Sequence, residues 1–222
     1  GSCASASPRW PRPSPGGSRS RSRRAPGRVR RAAVCPAHHG SGGSGAGSAP
    51  GPLRSSRGHQ ATGGADYPAR STAASSSSIN DGAAALVLCS EQYATAKNLK
   101  PLARIVAQAS FAQAPEWFTT APVGAIQSVL GKAGWAVADV DLFEINEAFA
   151  TVAMAPIHEL GISHEKVNVN GGACALGHPI GASGARILVT LIHALQVRGL
   201  CKGVASLCIG GGEATAMAIE LV

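Results

Sequence analysis

An imidazole, a thiol and a carboxamide stand where three apolar runs of this 222-residue chain give way to polar or glycine-rich letters. His178 lies in NVNGGACALGHPIGASG (168 to 184), Cys208 closes GVASLC ahead of IGGG, and Asn146 ends VDLFEIN (140 to 146). An imidazole titrates near neutrality and can take up and return a proton. A thiol acts as nucleophile, acid or base once its pKa is brought towards the working pH, and an amide can orient water or donate to an oxyanion. Each residue also has a plain reading. Asn146 could cap a helix starting at Glu147, His178 could be a loop histidine bonded to main chain, and Cys208 could be a small buried hydrophobe. The glycines around His178 mark tight turns or a place where something approaches the backbone closely.

The elements that would carry these residues alternate between strand and helix. AAALVLCS (83 to 90) reads as a buried strand, and SEQYATAKNL (90 to 99) as a helix behind a Ser90 N-cap. LARIVAQASF (102 to 111) reads as a strand, VGAIQSVLGKAG (123 to 134) as a helix ending at glycine, and VDLFEIN as a third strand. EAFATVAMAPIHEL (147 to 160) has helical spacing, VNVN (167 to 170) is a short strand, and residues 182 to 199 form a strong helix with Ser183 as candidate N-cap. GVASLCIGGG (203 to 212) and EATAMAIELV (213 to 222) read as two strands joined by a glycine turn. This alternation predicts one α/β layered domain over residues 71 to 222 with a largely buried sheet.

Residues 1 to 70 have a different composition. They carry twelve Arg, no Lys and one acid, whereas residues 71 to 222 carry eight basic and eleven acidic residues, so the whole chain's net charge of +8 belongs to the first third. That segment is rich in Gly, Ser, Pro and Arg, with little from which to build a core, and is expected to be disordered. Its composition also fits a GC-rich coding region translated out of frame. An organelle transit segment is disfavoured by nine prolines and the lack of an apolar stripe; a basic tail that binds polyanions is the alternative function, although no aromatics are interleaved for stacking. The six cysteines show no CxxC pair, so no zinc site or disulfide framework is indicated. No apolar run is long enough for a membrane span, and a cytoplasmic location is expected.

NEAFA (146 to 150), GGACALGHPIGASGARI (171 to 187) and CIGGGEA (208 to 214) resemble, in order and spacing, the three C-terminal motifs of the thiolases, the acetyl-CoA acetyltransferase type in particular. SSINDGAAALVL (77 to 88) looks like the start of that family's C-terminal domain, and the resemblance runs from Thr72 to the end. It implies a thiolase-like α/β fold, with a five-stranded mixed sheet and helices on both faces. It implies reversible Claisen condensation of acetyl-CoA, or thiolytic cleavage of 3-ketoacyl-CoA, with coenzyme A thioesters as substrate and product and no tightly bound cofactor or metal. On the family's pattern His178 is the base that takes the proton from a nucleophilic cysteine, and Cys208 the acid/base that deprotonates the second acetyl-CoA. Asn146 and His178 form one oxyanion hole, the Gly210 N–H contributes to a second, and Ser77, Phe118 and Phe149 contact substrate. Ser75 stands where the family has Asn, and nothing before Thr72 aligns.

The family's nucleophilic cysteine belongs to an N-terminal half, and none of Cys3, Cys35 or Cys89 has the context to replace it. The expectation is a C-terminal domain that is inactive alone and part of a homo-oligomeric enzyme, dimer or tetramer, with no membrane or nucleic-acid partner. A β-ketoacyl synthase would use a Cys-His-His set, against which CIGGG and NEAF stand. A dinucleotide-binding reading fails because GHPIGASG does not fit GxGxxG.

Overall fold

The computed structural model describes residues 71–222 together with the strand Ala32–Cys35; the readings offered for the remainder of the first 70 residues lie outside the described residues. Ala32–Cys35 correct the expectation of a wholly disordered segment, because they form β1 of the sheet. In chain order follow β2 (Val87–Ser90), α1 (Glu91–Ala96), β3 (Ala103–Ala112), α2 (Ala121–Ala133), β4 (Leu142–Ile145), α3 (Ala150–Leu160), α4 (Ala173–Leu176), α5 (Ser183–Arg198), β5 (Lys202–Ile209) and β6 (Glu213–Leu221). The Ser90 hydroxyl accepts from the Tyr93 N–H and caps α1. Helix α2 ends at Gly134, whose φ of 70 is left-handed and favours glycine.

The sheet is mixed, as expected, with strand order β2-β1-β3-β6-β5-β4 and a parallel β4–β5 pair among antiparallel neighbours. The expected count of five strands is corrected: β3, β6, β5 and β4 form the body, and β1 and β2 extend its β3 edge to make six. Alternation along the strands sends side chains to two cores. Phe143, Ile145, Val204, Ala214, Ala216 and Ala218 pack against α2 and α3, while Leu142, Ala205 and Ile219 pack against α5. A register shift between Ile105 and Ala107 transfers β3 from the α5 face to the α2 face partway along its length. Helices therefore cover both faces.

Two expected strands changed. Only Val87–Ser90 of the first run is extended, and it is not buried: Val87 and Leu88 are 49% and 56% exposed, because this strand is the sheet's edge and no helix among the described residues covers it. VNVN is not a strand; its backbone meets the sheet in an isolated parallel bridge from Val167 to Phe143. The Asn168 side chain takes the place of strand backbone: its Oδ1 accepts from the Ile145 N–H at 2.8 Å and its Nδ2 donates to the Ile145 carbonyl at 2.8 Å. Asn168 also has φ of 49, a conformation asparagine tolerates better than most residues and one that turns the chain into the His178 loop. One thiol is engaged where none was expected, since Cys201 is disulfide-bonded. No described helix is long and apolar enough to cross a membrane.

Replacing Asn168 by alanine leaves both main-chain groups of buried Ile145 without these partners and puts a methyl side chain at positive φ. Loss of about 3 kcal/mol of unfolding free energy is expected in chemical denaturation; a variant as stable as the parent would mean that the amide bracket does not hold β4.

Candidate active site

Strands β4 and β5 run parallel and end together. One residue beyond β4 the pairing continues, the Asn146 N–H donating to the Ser206 carbonyl at 2.9 Å, so Asn146 is held at the strand end and is only 1% exposed. It does not cap a helix: α3 begins at Ala150 with Phe149 as its N-cap, later than the spacing suggested. The intervening Glu147 ties the strand end to the glycine loop. Its Oε1 accepts from Asn168 Nδ2 at 2.8 Å and its Oε2 from the Cys174 N–H at 3.1 Å. A Cβ at position 172 would collide with this carboxylate, so glycine there is a requirement of close approach.

The segment after Thr72 clamps the loop from the other side. Ser76 bridges Phe149, Ile79 bridges His178, and the His178 N–H donates to the Ser78 carbonyl at 2.9 Å. The Ser77 N–H and hydroxyl both donate to the Ala148 carbonyl, at 3.2 and 3.0 Å. Gly177, with φ of 92, turns the chain into His178 beneath Asn80. The imidazole is thus fixed through its backbone before its ring makes any contact.

Both ring nitrogens are engaged. Nδ1 lies 2.6 Å from the Ser183 Oγ, and that hydroxyl donates to the Pro179 carbonyl at 3.0 Å. The Asn146 amide nitrogen can only donate, so the ring nitrogen it meets must accept, and the Ser183 oxygen takes the proton of the other ring nitrogen. Nδ1 therefore carries the proton and Nε2 presents a lone pair, facing Asn146 Nδ2 at 3.3 Å. Burial, and after it the Arg186 guanidinium, hold His178 below the ordinary imidazole range, which favours this neutral form. The ring is a base with its accepting nitrogen turned towards Asn146.

Ser183 was expected to cap α5. It is instead the first helical residue, fully buried behind an Ala182 N-cap, and its hydroxyl serves the imidazole. Its position five residues after His178 offered no signal beyond the capping preference. Glu144 and Arg186 were also missed. Glu144 is 1% exposed within an otherwise apolar strand, and burial pushes its carboxyl up to about 7, opposed by Arg186. An acid two residues before Asn146 in a core strand was the available clue.

Cys208 lies near the end of β5, 9% exposed, and burial pushes its thiol up to about 11. The expected move towards neutrality is reversed in this chain because desolvation penalises the thiolate and no cation compensates it; at neutral pH the sulfur holds its proton. Cys174 is likewise pushed up to about 11 by burial and by Glu147, which disfavours it as a nucleophile. Gly210 sits in the β5–β6 turn closed by the Gly212 N–H on the Ile209 carbonyl, so that closing bond leaves the Gly210 N–H unused. Phe118 and Phe149 meet edge to face, with ring centroids 6.1 Å apart, beside the Ser77–Ala148 link. Asn146 and His178 are therefore in direct contact, Ser77 and Phe149 are tied to them through the bridges Ser76–Phe149 and Ile79–His178, Phe118 joins through Phe149, and Cys208 and Gly210 share the same end of the sheet through the β4–β5 register. Among the described residues no group of His, Cys, Asp and Glu is arranged to hold a metal ion.

The match to known proteins covers this region. The family described as "Thiolase, C-terminal domain" matches residues 99–221. A mouse cytosolic acetyl-CoA acetyltransferase is 54% identical over 149 residues, which are 67% of this chain and 38% of the relative. An Escherichia coli acetyl-CoA acetyltransferase is 58% identical over the same length and shares. Among solved structures, a Bacillus anthracis acetyl-CoA acetyltransferase superposes with a TM-score of 0.67 at 51% identity, over 69% of this chain and 39% of its own. An Ascaris suum thiolase in complex with coenzyme A gives 0.66 at 46% identity, over 71% and 41%. The chain thus spans about 38% of the length of the curated relatives it matches.

Iodoacetamide labelling of Cys208, followed by peptide mass spectrometry against pH, should climb without levelling until about pH 11. A plateau near the ordinary thiol value of about 8.5 would contradict the desolvated site.

Proposed function

The chain belongs to the thiolase family, through a C-terminal domain of the acetyl-CoA acetyltransferase type, and we propose that this domain supplies the base, the acid and the oxyanion donors of a thiolase reaction. The observation that carries the reading is the fixed imidazole: a neutral His178 with proton-free Nε2 beside a buried Asn146 amide. A base of this form suits removal of a proton from a thiol, which then attacks an acyl-CoA thioester and becomes acylated. Once Nε2 has taken that proton, the same N–H can donate to an oxyanion, with Asn146 beside it. Cys208, protonated at rest, supplies a proton to the acetyl-CoA enolate in the cleavage direction; in condensation it first gives its proton to the departing coenzyme A thiolate and, as thiolate, accepts one from the acetyl α-carbon. The Gly210 N–H, left out of the turn's closing bond, would receive the thioester oxygen. Ser77, Phe118 and Phe149 would line the path of the pantetheine arm and acyl group. Substrates are acyl-CoA thioesters, no tightly held cofactor is needed, and the setting is cytoplasmic, as the name of the mouse relative says of that protein.

No described thiol is hydrogen-bonded to His178, whose nitrogens face Asn146 and Ser183. The loops around it carry exposed apolar side chains: Ile79 is 86% exposed, Ile180 67% and Leu176 53%. Such a rim fits a site covered by further protein and by the substrate. The reading is therefore that this chain alone does not turn over, and that its residues act when a nucleophile-bearing half closes on them.

Two assays separate the parts of this proposal. The purified chain should cleave acetoacetyl-CoA no faster than its His178→Ala variant; activity above that control would refute the half-site reading. Residues 71 to 222, fused behind the remaining part of the Escherichia coli relative, should restore cleavage, and His178→Ala in that fusion should lower kcat by about a thousandfold. A folded fusion with no His178-dependent activity would contradict the assignment of the base.

A further inference from the structure

Behind the Asn146–His178–Ser183 row lies a second row that the proposed chemistry does not use. Alternation on β4 puts Glu144 on the same side as Asn146, one step deeper beneath α5. On α5, Arg186 follows Ser183 by three residues and so occupies the same helix face, one turn further in. Strand and helix pack against each other here, since Leu142 shares a core with Ile187 and Leu191. The two rows therefore run in parallel between the same pair of elements.

The inner row has more polar atoms than protein partners. Both carboxyl oxygens of Glu144, the Nε and Nη1 of Arg186 and the Oδ1 of Asn146 are buried without a protein hydrogen bond among the described residues. Each buried polar atom left so costs about 1 to 3 kcal/mol, and sites of this kind are normally filled by ordered water making two to four hydrogen bonds. A carboxylate and a guanidinium that face each other too far apart for direct contact, with an amide oxygen nearby, supply the acceptors and donors such water requires.

We propose that Glu144 and Arg186 form a buried, water-bridged charge pair that controls when His178 takes up a proton, and that both are positioning residues for the base. This rests on the assignment of His178 as the base. Arg186 acts on both partners: its charge opposes a proton on His178 and opposes a proton on Glu144. With the carboxyl protonated, the guanidinium is uncompensated and the imidazole is held neutral. With the carboxyl ionised, it offsets the guanidinium and an imidazolium becomes tolerable. Because Glu144 changes charge near pH 7, the base can accept a thiol proton at neutral pH while Glu144 gives one up to solvent, so that the net charge of the three groups stays at one positive charge instead of rising to two. The other titratable groups around the pair are Glu147 after β4, which raises Glu144 further, the Cys174 thiol of α4 and the Cys208 thiol of β5, both protonated at this pH.

The test is a histidine ring NMR titration of the full 222-residue chain, with His158, His164 and His193 as internal references. Arg186→Met should raise the His178 midpoint by roughly half a unit or more, Arg186→Lys should keep it near the parent value by retaining the charge, and Glu144→Gln should lower it. Opposite shifts from the two charge-removing variants are the signature of the pair. Equal midpoints in all variants, shifts in the same direction, or a lysine variant that moves as far as the methionine one would overturn the proposal. Should Arg186→Met fail to fold, the near-isosteric Glu144→Gln decides alone: a lowered midpoint supports the pair, and an unchanged or raised one rejects it. The titration needs no substrate, so an inactive fusion enzyme would leave its outcome standing.

Discussion

The Asn146 amide nitrogen can only donate, and it faces His178 Nε2 at 3.3 Å. From that constraint the protonation pattern of the whole site follows. Nε2 must present its lone pair, Nδ1 must carry the proton, and the Ser183 oxygen accepts it. The same ring in the other tautomer would point a proton at the place where a base is wanted. A buried amide at a strand end thus decides whether the imidazole is chemically useful.

Much of the rest of the domain keeps that arrangement in place. The β4–β5 pair fixes Asn146 through the Ser206 carbonyl, the Asn168 amide brackets Ile145, and Glu147 joins the strand end to α4. The clamp from residues 76 to 80 fixes the His178 backbone, and α5 carries both Ser183 and Arg186 on one face. The anchors at Ile145 and Asn146 are hydrogen bonds made where solvent is largely excluded, so the loop beside them can be glycine-rich in sequence and still hold one conformation. Cys208 is placed by the same parallel pair and is also buried, and burial with no described countercharge beside it raises its thiol.

Long elements were legible from hydrophobic period: α2, α5, β3, β5 and β6 fall within a few residues of the expected bounds. The candidates Asn146 and Cys208 were legible because each closes an apolar run at a strand end, and His178 because it stands as one imidazole among glycines. What could not be read were long-range substitutions of one interaction for another. VNVN has the letters of a strand, yet the Asn168 side chain bonds Ile145, 23 positions earlier, and removes the need for one. Ser183 has the letters of an N-cap, yet a ring nitrogen five residues back claims its oxygen. Glu144 looks like a stray acid in a strand until Arg186, remote in sequence, is placed opposite. The burial expected of residues 83 to 90 failed for a related reason: period reports an apolar side chain but not whether any element will cover it.

The central claim is that His178 is held as a neutral base with its proton on Nδ1. The most direct measurement is a long-range proton–nitrogen correlation spectrum of the full chain at slightly alkaline pH. A proton-bearing Nδ1 together with an Nε2 of the unprotonated, pyridine-like type is the result expected, and substitution of Asn146 by alanine should weaken that preference. A resonance pair showing the proton on Nε2 would contradict the account, because the imidazole would then have no lone pair facing Asn146.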